Sequence, residues 1–324
     1  MVSDEKLRPE RLRDFLGQEK TKEKVDIFIT AAKKRNAAAD HVLFCGPPGL
    51  GKTTLARIVA GELGAKLHQT SGPVLERTGD LAAILTGLEE KDVLFIDEIH
   101  RTNRVVEEYL YSAMEDFSID LLVGEGPSAR SMKINLEKFT LIGATTRTGL
   151  ITSPLYSRFG MELRLEHYEQ SEIELIVKRS AKIMEVEITD GAASHISQRS
   201  RGTPRVANRL LRRVRDYVEV KADGKIDETL ALECLDMLEI DNFGLEGMDR
   251  AILETIILRF GGGPVGIETI AASVSEDKET IEQVYEPFLI RKGLIEKTPK
   301  GRKAALLAYS HLGLENPDKN RTLL

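Results

Sequence analysis

Residues Gly46-Pro47-Pro48-Gly49-Leu50-Gly51-Lys52-Thr53 satisfy the pattern GxxxxGK[ST] in full, and few short motifs restrict a fold so severely. The pattern works only where a strand passes through a glycine-rich turn into a helix. Backbone N–H groups then close around phosphate oxygens, and the helix N-terminus adds partial positive charge. Both flanks fit: an apolar run, Val42 to Cys45, precedes the motif, and Leu55, Ile58, Val59 and Leu63 recur on one helical face after it. In such a loop Gly49 and Gly51 admit the phosphates, Lys52 reaches the β- and γ-phosphates, and the Thr53 hydroxyl ligates Mg²⁺. An ordinary glycine-rich turn is the bland alternative.

Around this motif the first half of the chain alternates β-branched runs with helical patterns, as βαβ units do. Strands are expected at His41–Cys45, Lys66–Thr70, Asp92–Asp97, Phe139–Thr145 and Met161–Leu165. Their apolar residues are nearly continuous, so helices should cover both faces of a parallel sheet. At 324 residues the chain suggests two or three domains, and 41% hydrophobic with 30% charged residues excludes a disordered tail, a fibre or a disulfide scaffold. No apolar run approaches the roughly 18 residues of a membrane span, and Met1 to Lys20 is charged, without a signal-peptide segment. Cys45 and Cys234 stand far apart with no Cys/His cluster, which points to a cytoplasmic location and against structural zinc.

The run Asp92-Val93-Leu94-Phe95-Ile96-Asp97-Glu98 ends in adjacent carboxylates. Behind a phosphate-binding loop this is a Walker B pattern: Asp97 is placed for the Mg²⁺ shell, and Glu98 for orienting and deprotonating an attacking water. Hydrolysis is thereby favoured over phosphoryl transfer to a small molecule. Phe139 to Arg147 is another apolar strand ending in hydroxyls, and strand carboxyl ends face the ligand crevice of an open α/β sheet. Thr145 or Thr146 either senses the γ-phosphate there or caps the next turn. Ser157-Arg158-Phe159 is equally open.

Beyond residue 167 the strand signals stop, and Ile173, Ile176, Val177, Ala181 and Met184 recur at helical spacing. Thr203-Pro204 suits a helix start, and Arg205, Arg209, Arg212, Arg213 and Arg215 follow on that helix. A third region begins near Asn242. It carries helical patterns at Met248–Arg259, Ile267–Ser273 and Lys278–Ile290, then short runs at Gly293–Lys297 and Arg302–Ala305 around Thr298-Pro299-Lys300-Gly301. Three helices and a hairpin describe a winged helix. The expected architecture is therefore α/β, with a P-loop domain over residues 1–166, a small all-α domain over 167–241 and a winged helix over 242–324, its last dozen residues frayed. Net charge is −6, yet between Pro287 and Ala305 six basic residues oppose only Glu296, a local patch suited to DNA phosphates.

The strings GPPGLGKTTLA, FIDEIHR, GATTR, SPLYSRFG and RGTPR, with the terminal winged helix, resemble the RuvB family of bacterial Holliday junction branch-migration ATPases, within the AAA+ class. The similarity runs from Leu7-Arg8-Pro9 to Arg302. It implies an ATP- and Mg²⁺-dependent DNA motor in recombination, repair and the SOS response, working as a homohexameric ring on four-way junction and duplex DNA, with RuvA and the RuvC resolvase as partners. It also implies residue roles: Thr146 as the γ-phosphate sensor, Arg158 as an arginine finger entering the neighbouring site, and Arg205 as a second sensor. Leu7, Arg8, Thr54, Glu115, Asp116, Phe117 and Tyr168 would border the nucleotide. A hairpin over residues 117–136, with Ile119, Leu121 and Val123 opposite Met132, Ile134 and Leu136, would dock RuvA. Lys297 and Arg302 would contact DNA. Relatives commonly carry Arg where Lys297, Lys300 and Tyr156 stand here. The rival readings are another AAA+ machine, such as a clamp-loader subunit or a replication initiator, and a winged-helix transcription factor regulated by nucleotide.

Overall fold

The computed structural model describes residues 4–123, 130–222 and 224–315. The chain folds as two compact units, one of Met1–Val186 with Gly202–Arg209, the other of Glu187–Arg201 with Leu210–Leu324.

In the first unit, strands β1 (Val42–Cys45), β2 (Leu67–Ser71), β3 (Val93–Asp97), β6 (Thr140–Thr145) and β7 (Met161–Arg164) form an all-parallel sheet in the order β2-β3-β6-β1-β7. β4 (Ser118–Val123) and β5 (Arg130–Asn135) make a separate antiparallel hairpin. Every residue of β1 and β6 is buried, as the unbroken apolar runs require of strands covered on both faces. Successive side chains point to opposite faces, so the two layers can be traced along β1. Leu43 and Cys45 join Leu81 and Leu85 of α4 (Thr78–Thr86) and Val106 and Leu110 of α5 (Arg104–Glu115). Val42 and Phe44 face Val25 and Phe28 of α2 (Glu19–Arg35) and Val59 of α3 (Lys52–Leu63). A short N-terminal helix α1 (Asp4–Leu7), the single turn α6 (Ser153–Tyr156) and α7 (Gln170–Ile183) complete this unit.

Polar ties lock the amino edge of the sheet. His41 Nδ1 accepts from the Leu141 N–H at 2.9 Å, which leaves Nε2–H to donate to the Met114 carbonyl at 3.0 Å. Burial pulls the His41 pKa down, so the neutral ring with this one tautomer joins β1, β6 and the end of α5.

The second unit holds α8 (Asp190–Gln198), most of α9 (Pro204–Lys221), and α10 (Glu228–Met237), followed by the winged helix. In the latter, α11 (Gly247–Glu254) runs on into a π-helical turn, Thr255–Arg259. α12 (Ile267–Val274) comes next. The run α13 (Lys278–Thr280), a second π-helical turn (Ile281–Tyr285) and α14 (Glu286–Arg291) then leads to the wing, β8 (Ile295–Thr298) paired antiparallel with β9 (Gly301–Ala304). A terminal helix, α15 (Leu306–His311), which the sequence patterns did not suggest, buries Ala308 and Tyr309 against this core. The fraying expected at the C-terminus falls on residues that include 316–324, which lie outside those described.

Candidate active site

The phosphate-binding loop leaves the carboxyl end of β1, where Gly46 N donates to Thr145 O at 3.2 Å. Gly46 has φ +139°, and a Cβ there would lie 2.4 Å from the Leu165 carbonyl oxygen, so both conformation and space demand glycine. Gly49 has φ +81°, and an added Cβ would meet the Arg205 Cβ at 3.1 Å. Gly51, also left-handed, begins α3, whose first residue is Lys52. Lys52 is 6% exposed, and its ammonium donates to the carbonyls of Gly46 (2.6 Å) and Pro47 (2.9 Å). Burial lowers its pKa, against the opposing pull of Asp97 and Glu98.

Asp97 and Glu98 stand at the carboxyl end of β3. Thr53 Oγ1 donates to Asp97 Oδ2 at 3.4 Å, and Asp97 Oδ1 accepts the Glu98 N–H at 2.9 Å. Glu98 has φ +47°, a left-handed conformation that a non-glycine residue adopts at some cost and that often marks a functional position. Of the two candidate sensors, Thr145 is fully buried, bonded to His100 Nδ1 (3.0 Å) and to the Arg147 N–H (2.9 Å). Thr146 instead donates to Glu98 Oε2 at 3.3 Å. His100, which no sequence pattern singled out, lies with its Nε2 3.3 Å from the same oxygen.

Beside the loop is a small cavity of about 90 Å³, lined by Leu7, Arg8, Phe15, Gly51, Thr54 and Tyr168 among others. Tyr168 Oη donates to Leu50 O at 3.1 Å, burial raises its pKa, and Arg179 donates to Leu7 O at 2.8 Å. The N–H of Arg205 points at Gly49 O, 3.4 Å away. Leu7, Arg8, Gly49, Gly51, Lys52, Thr53, Thr54, Tyr168 and Arg205 therefore converge on one place, joined by Asp97, Glu98 and Thr146.

Glu115, Asp116 and Phe117 do not. The Phe117 ring packs on His41 and Phe139, which precede β1 and β6, at the amino edge of the sheet. Glu115 accepts from Arg158 Nη2 at 2.6 Å, and Gly160, two residues after Arg158, bonds to His41 O. These residues, Arg158 included, occupy the edge opposite the phosphate-binding loop. Glu115, Asp116 and Phe117, expected to border the nucleotide together with Leu7, Arg8 and Tyr168, do not join them: the end of α5 carries them to the other end of the sheet from the phosphate-binding loop of this chain.

Comparison with known proteins names this arrangement. The family of the Holliday junction DNA helicase RuvB P-loop domain matches residues 7–165, that of the RuvB AAA lid domain residues 168–241, and that of the RuvB C-terminal winged helix domain residues 242–313. The chain belongs to the RuvB family. It is 51% identical to a lysine-to-arginine mutant of Thermotoga maritima RuvB, over 96% of this chain and 99% of that one, with a TM-score of 0.88. A second structure, described as the Thermotoga maritima RuvB Holliday junction branch migration motor, matches at 51% identity over 96% of this chain and all of that one, with a TM-score of 0.87. Membership makes the protein a nucleotide-binding, helicase-type ATPase of Holliday junctions, with a parallel-sheet P-loop domain, a helical lid and a winged helix. The clamp-loader and initiator alternatives give way to it. Among the described residues no helix is long and apolar enough to cross a membrane.

Two RuvB surfaces differ from expectation in detail. The hairpin pairs Ile119 with Ile134 and Leu121 with Met132, but Val123 stands opposite Arg130, and Leu136 bonds back to Phe117 O. Ile119 is buried in the sheet core, with Leu121, Ile134 and Leu136 packed against it, whereas Met132 is half exposed. The turn Gly124-Glu125-Gly126-Pro127 lies outside the described residues. In the wing, Lys297 is exposed, with Nζ 3.3 Å from Glu286 Oε1. Arg302, paired with it across the hairpin, is only 8% exposed and donates to Glu286 (2.7 Å) and Glu282 (3.0 Å). Of the two residues expected to contact DNA, Lys297 is thus exposed, whereas Arg302 is enclosed in an ion-pair cluster.

Proposed function

We propose that this chain drives branch migration of four-way DNA junctions as a homohexameric ring, hydrolysing ATP with Mg²⁺ in the cytoplasm, recruited by RuvA through the 117–136 hairpin and acting alongside the RuvC resolvase. What carries the reading is the separation of Arg158 from Lys52 and Glu98 across the sheet: one chain holds a pocket at one edge and a finger at the other, so a complete site needs two chains.

In the pocket, Lys52 turns from the Gly46 and Pro47 carbonyls to the β- and γ-phosphate oxygens of ATP. The Thr53 hydroxyl and the Asp97 carboxylate, hard oxygen donors already 3.4 Å apart, are the residues that would hold Mg²⁺. Bound there, the cation neutralises charge on the phosphates. Glu98, held by Thr146, accepts a proton from the water that attacks in line with the leaving β-phosphate oxygen. Arg205, whose backbone touches the loop at Gly49, adds positive charge at the γ-phosphate from its own chain, and Arg158 does so from the neighbour. Leu7, Arg8, Thr54 and Tyr168 hold the base and ribose. Glu115, Asp116 and Phe117, beside the finger, would meet the neighbour's nucleotide.

The test is release of labelled duplex product from a synthetic four-way junction. Product is expected only with ATP and Mg²⁺, with strong enhancement by RuvA. Hydrolysis that leaves junctions intact would end the branch-migration reading while sparing the ATPase.

For DNA contact, Lys297 is the proposed phosphate ligand in the wing, and Arg302 acts chiefly by holding the hairpin over Glu282 and Glu286. Lys297→Ala is expected to flatten the slope of log affinity against log salt by about 0.9, the value for one phosphate contact, with an unchanged melting temperature. Arg302→Ala is expected to lower the melting temperature as well, because it strands a nearly buried Glu286. An unchanged slope for Lys297→Ala would remove that residue from the DNA.

A further inference from the structure

The finger region is bound to α5 by a stripe of three residues, of which the family resemblance assigns a role to Glu115 alone and none to Glu107 or Tyr111. Glu107, Tyr111 and Glu115 lie four residues apart, on one face of α5. Glu107, 6% exposed, accepts from Tyr111 Oη at 2.6 Å and also from the Thr152 hydroxyl. Thr152 is the N-cap of α6, the turn that leads to Arg158, and lies 3.1 Å from the same Tyr111 oxygen. The Arg158 guanidinium carbon lies 4.7 Å from the centre of the Tyr111 ring. Arg158 Nη1 donates to Pro154 O at 2.8 Å and its Nη2 to Glu115 at 2.6 Å.

We infer that this stripe positions the arginine finger, with the face of Tyr111 as the seat of the guanidinium. The inference rests on the reading of Arg158 as a finger acting on the neighbouring chain. Glu115 is too exposed, at 62% of its side chain, for its ion pair alone to fix a long flexible arginine. The ring supplies a flat, partly desolvated surface that favours the cation, while Glu107 and Thr152 fix the ring's hydroxyl and the start of α6 together. A finger works by delivering charge to one point, and a misplacement of about 1 Å in such a group costs roughly 10²-fold in rate. Tyr111 is accordingly a positioning residue, acting through Arg158.

Positioning and folding roles separate in mixed rings. Tyr111→Leu removes the ring, and its DNA-stimulated ATPase is expected to fall by about 10- to 100-fold. Tyr111→Phe, which keeps the ring, should retain most of the activity. Mixed with Glu98→Gln chains, which have a dead pocket and an intact finger, Tyr111→Leu chains should regain turnover above the mean of the two separate preparations, because their own pockets are sound. Arg158→Ala mixed in the same way is the control. Wild-type turnover in Tyr111→Leu, an equal loss in Tyr111→Phe, or no rescue of Tyr111→Leu where Arg158→Ala is rescued would each overturn the inference. If Arg158→Ala is not rescued either, the finger reading beneath it fails.

Discussion

Glu98→Gln is expected to reduce ATP turnover by roughly 10²- to 10⁴-fold, the range a general base contributes, while nucleotide still binds. The substitution is nearly isosteric. Glutamine keeps an oxygen that can accept from Thr146 and a side chain that can occupy the same left-handed turn at φ +47°, so the pocket should remain assembled. What it loses is the capacity to take a proton from water. Single-turnover hydrolysis and binding of a fluorescent ATP analogue, measured side by side, separate the two functions. Lost hydrolysis with retained binding assigns the proton transfer to Glu98. Retained hydrolysis would move the base elsewhere, and His100, 3.3 Å from the same carboxylate oxygen, would be the next group to vary.

Arg158→Ala is expected to cost roughly 10³- to 10⁵-fold in turnover, as other arginine fingers do. In the isolated chain the same change should be mild. It frees an exposed Glu115 and uncovers one face of Tyr111, neither of which leaves a buried charge unpaired, so the melting temperature should barely move. The large kinetic loss with a small stability loss is the signature of a residue whose work lies in another chain's pocket. Addition of Glu98→Gln chains should restore part of the turnover. Normal ATPase activity in Arg158→Ala would remove the trans-acting role altogether.

The sheet was legible in the sequence because its central strands β1, β3 and β6 are short and largely apolar; the edge strands β2 and β7 mix polar residues in, yet each observed strand lies within about one residue of its expected bounds. The pocket was legible for a similar reason: Gly46 to Thr53 and Asp97-Glu98 sit at strand ends, where local spacing dictates position. Elsewhere the determinants are tertiary. Nothing local to Glu115 or Phe117 tells which edge of the sheet α5 will end on; that follows from Phe117 packing on His41 and Phe139. Arg302 looked like an ordinary wing cation because its carboxylate partners, Glu282 and Glu286, lie 20 and 16 residues away on the preceding helical run. The stripe on α5 was hidden by its mixed character, since Glu107, Tyr111 and Glu115 look like a solvated helix face until Thr152 and Arg158 are brought onto it. The choice between Thr145 and Thr146 needed the hydrogen bonds themselves, because Thr145 ends β6 and Thr146 lies just past it, where strand alternation no longer places a side chain.

On the proposed reading of Arg158 as a finger for a neighbouring chain, the placement of pocket and finger at opposite ends of one sheet limits how copies of this chain can associate. A two-fold dimer sets like surfaces against each other, whereas a finger meeting a pocket joins unlike ones, so the contact is head-to-tail and propagates. An open row always ends with one pocket that lacks a finger and one finger that lacks a pocket. Only closure removes both ends together, so the last subunit to join completes two sites where every earlier arrival completed one. Catalytic output per chain should therefore step upward at closure, and turnover can serve as a counter of closed rings in a mixed population of assemblies.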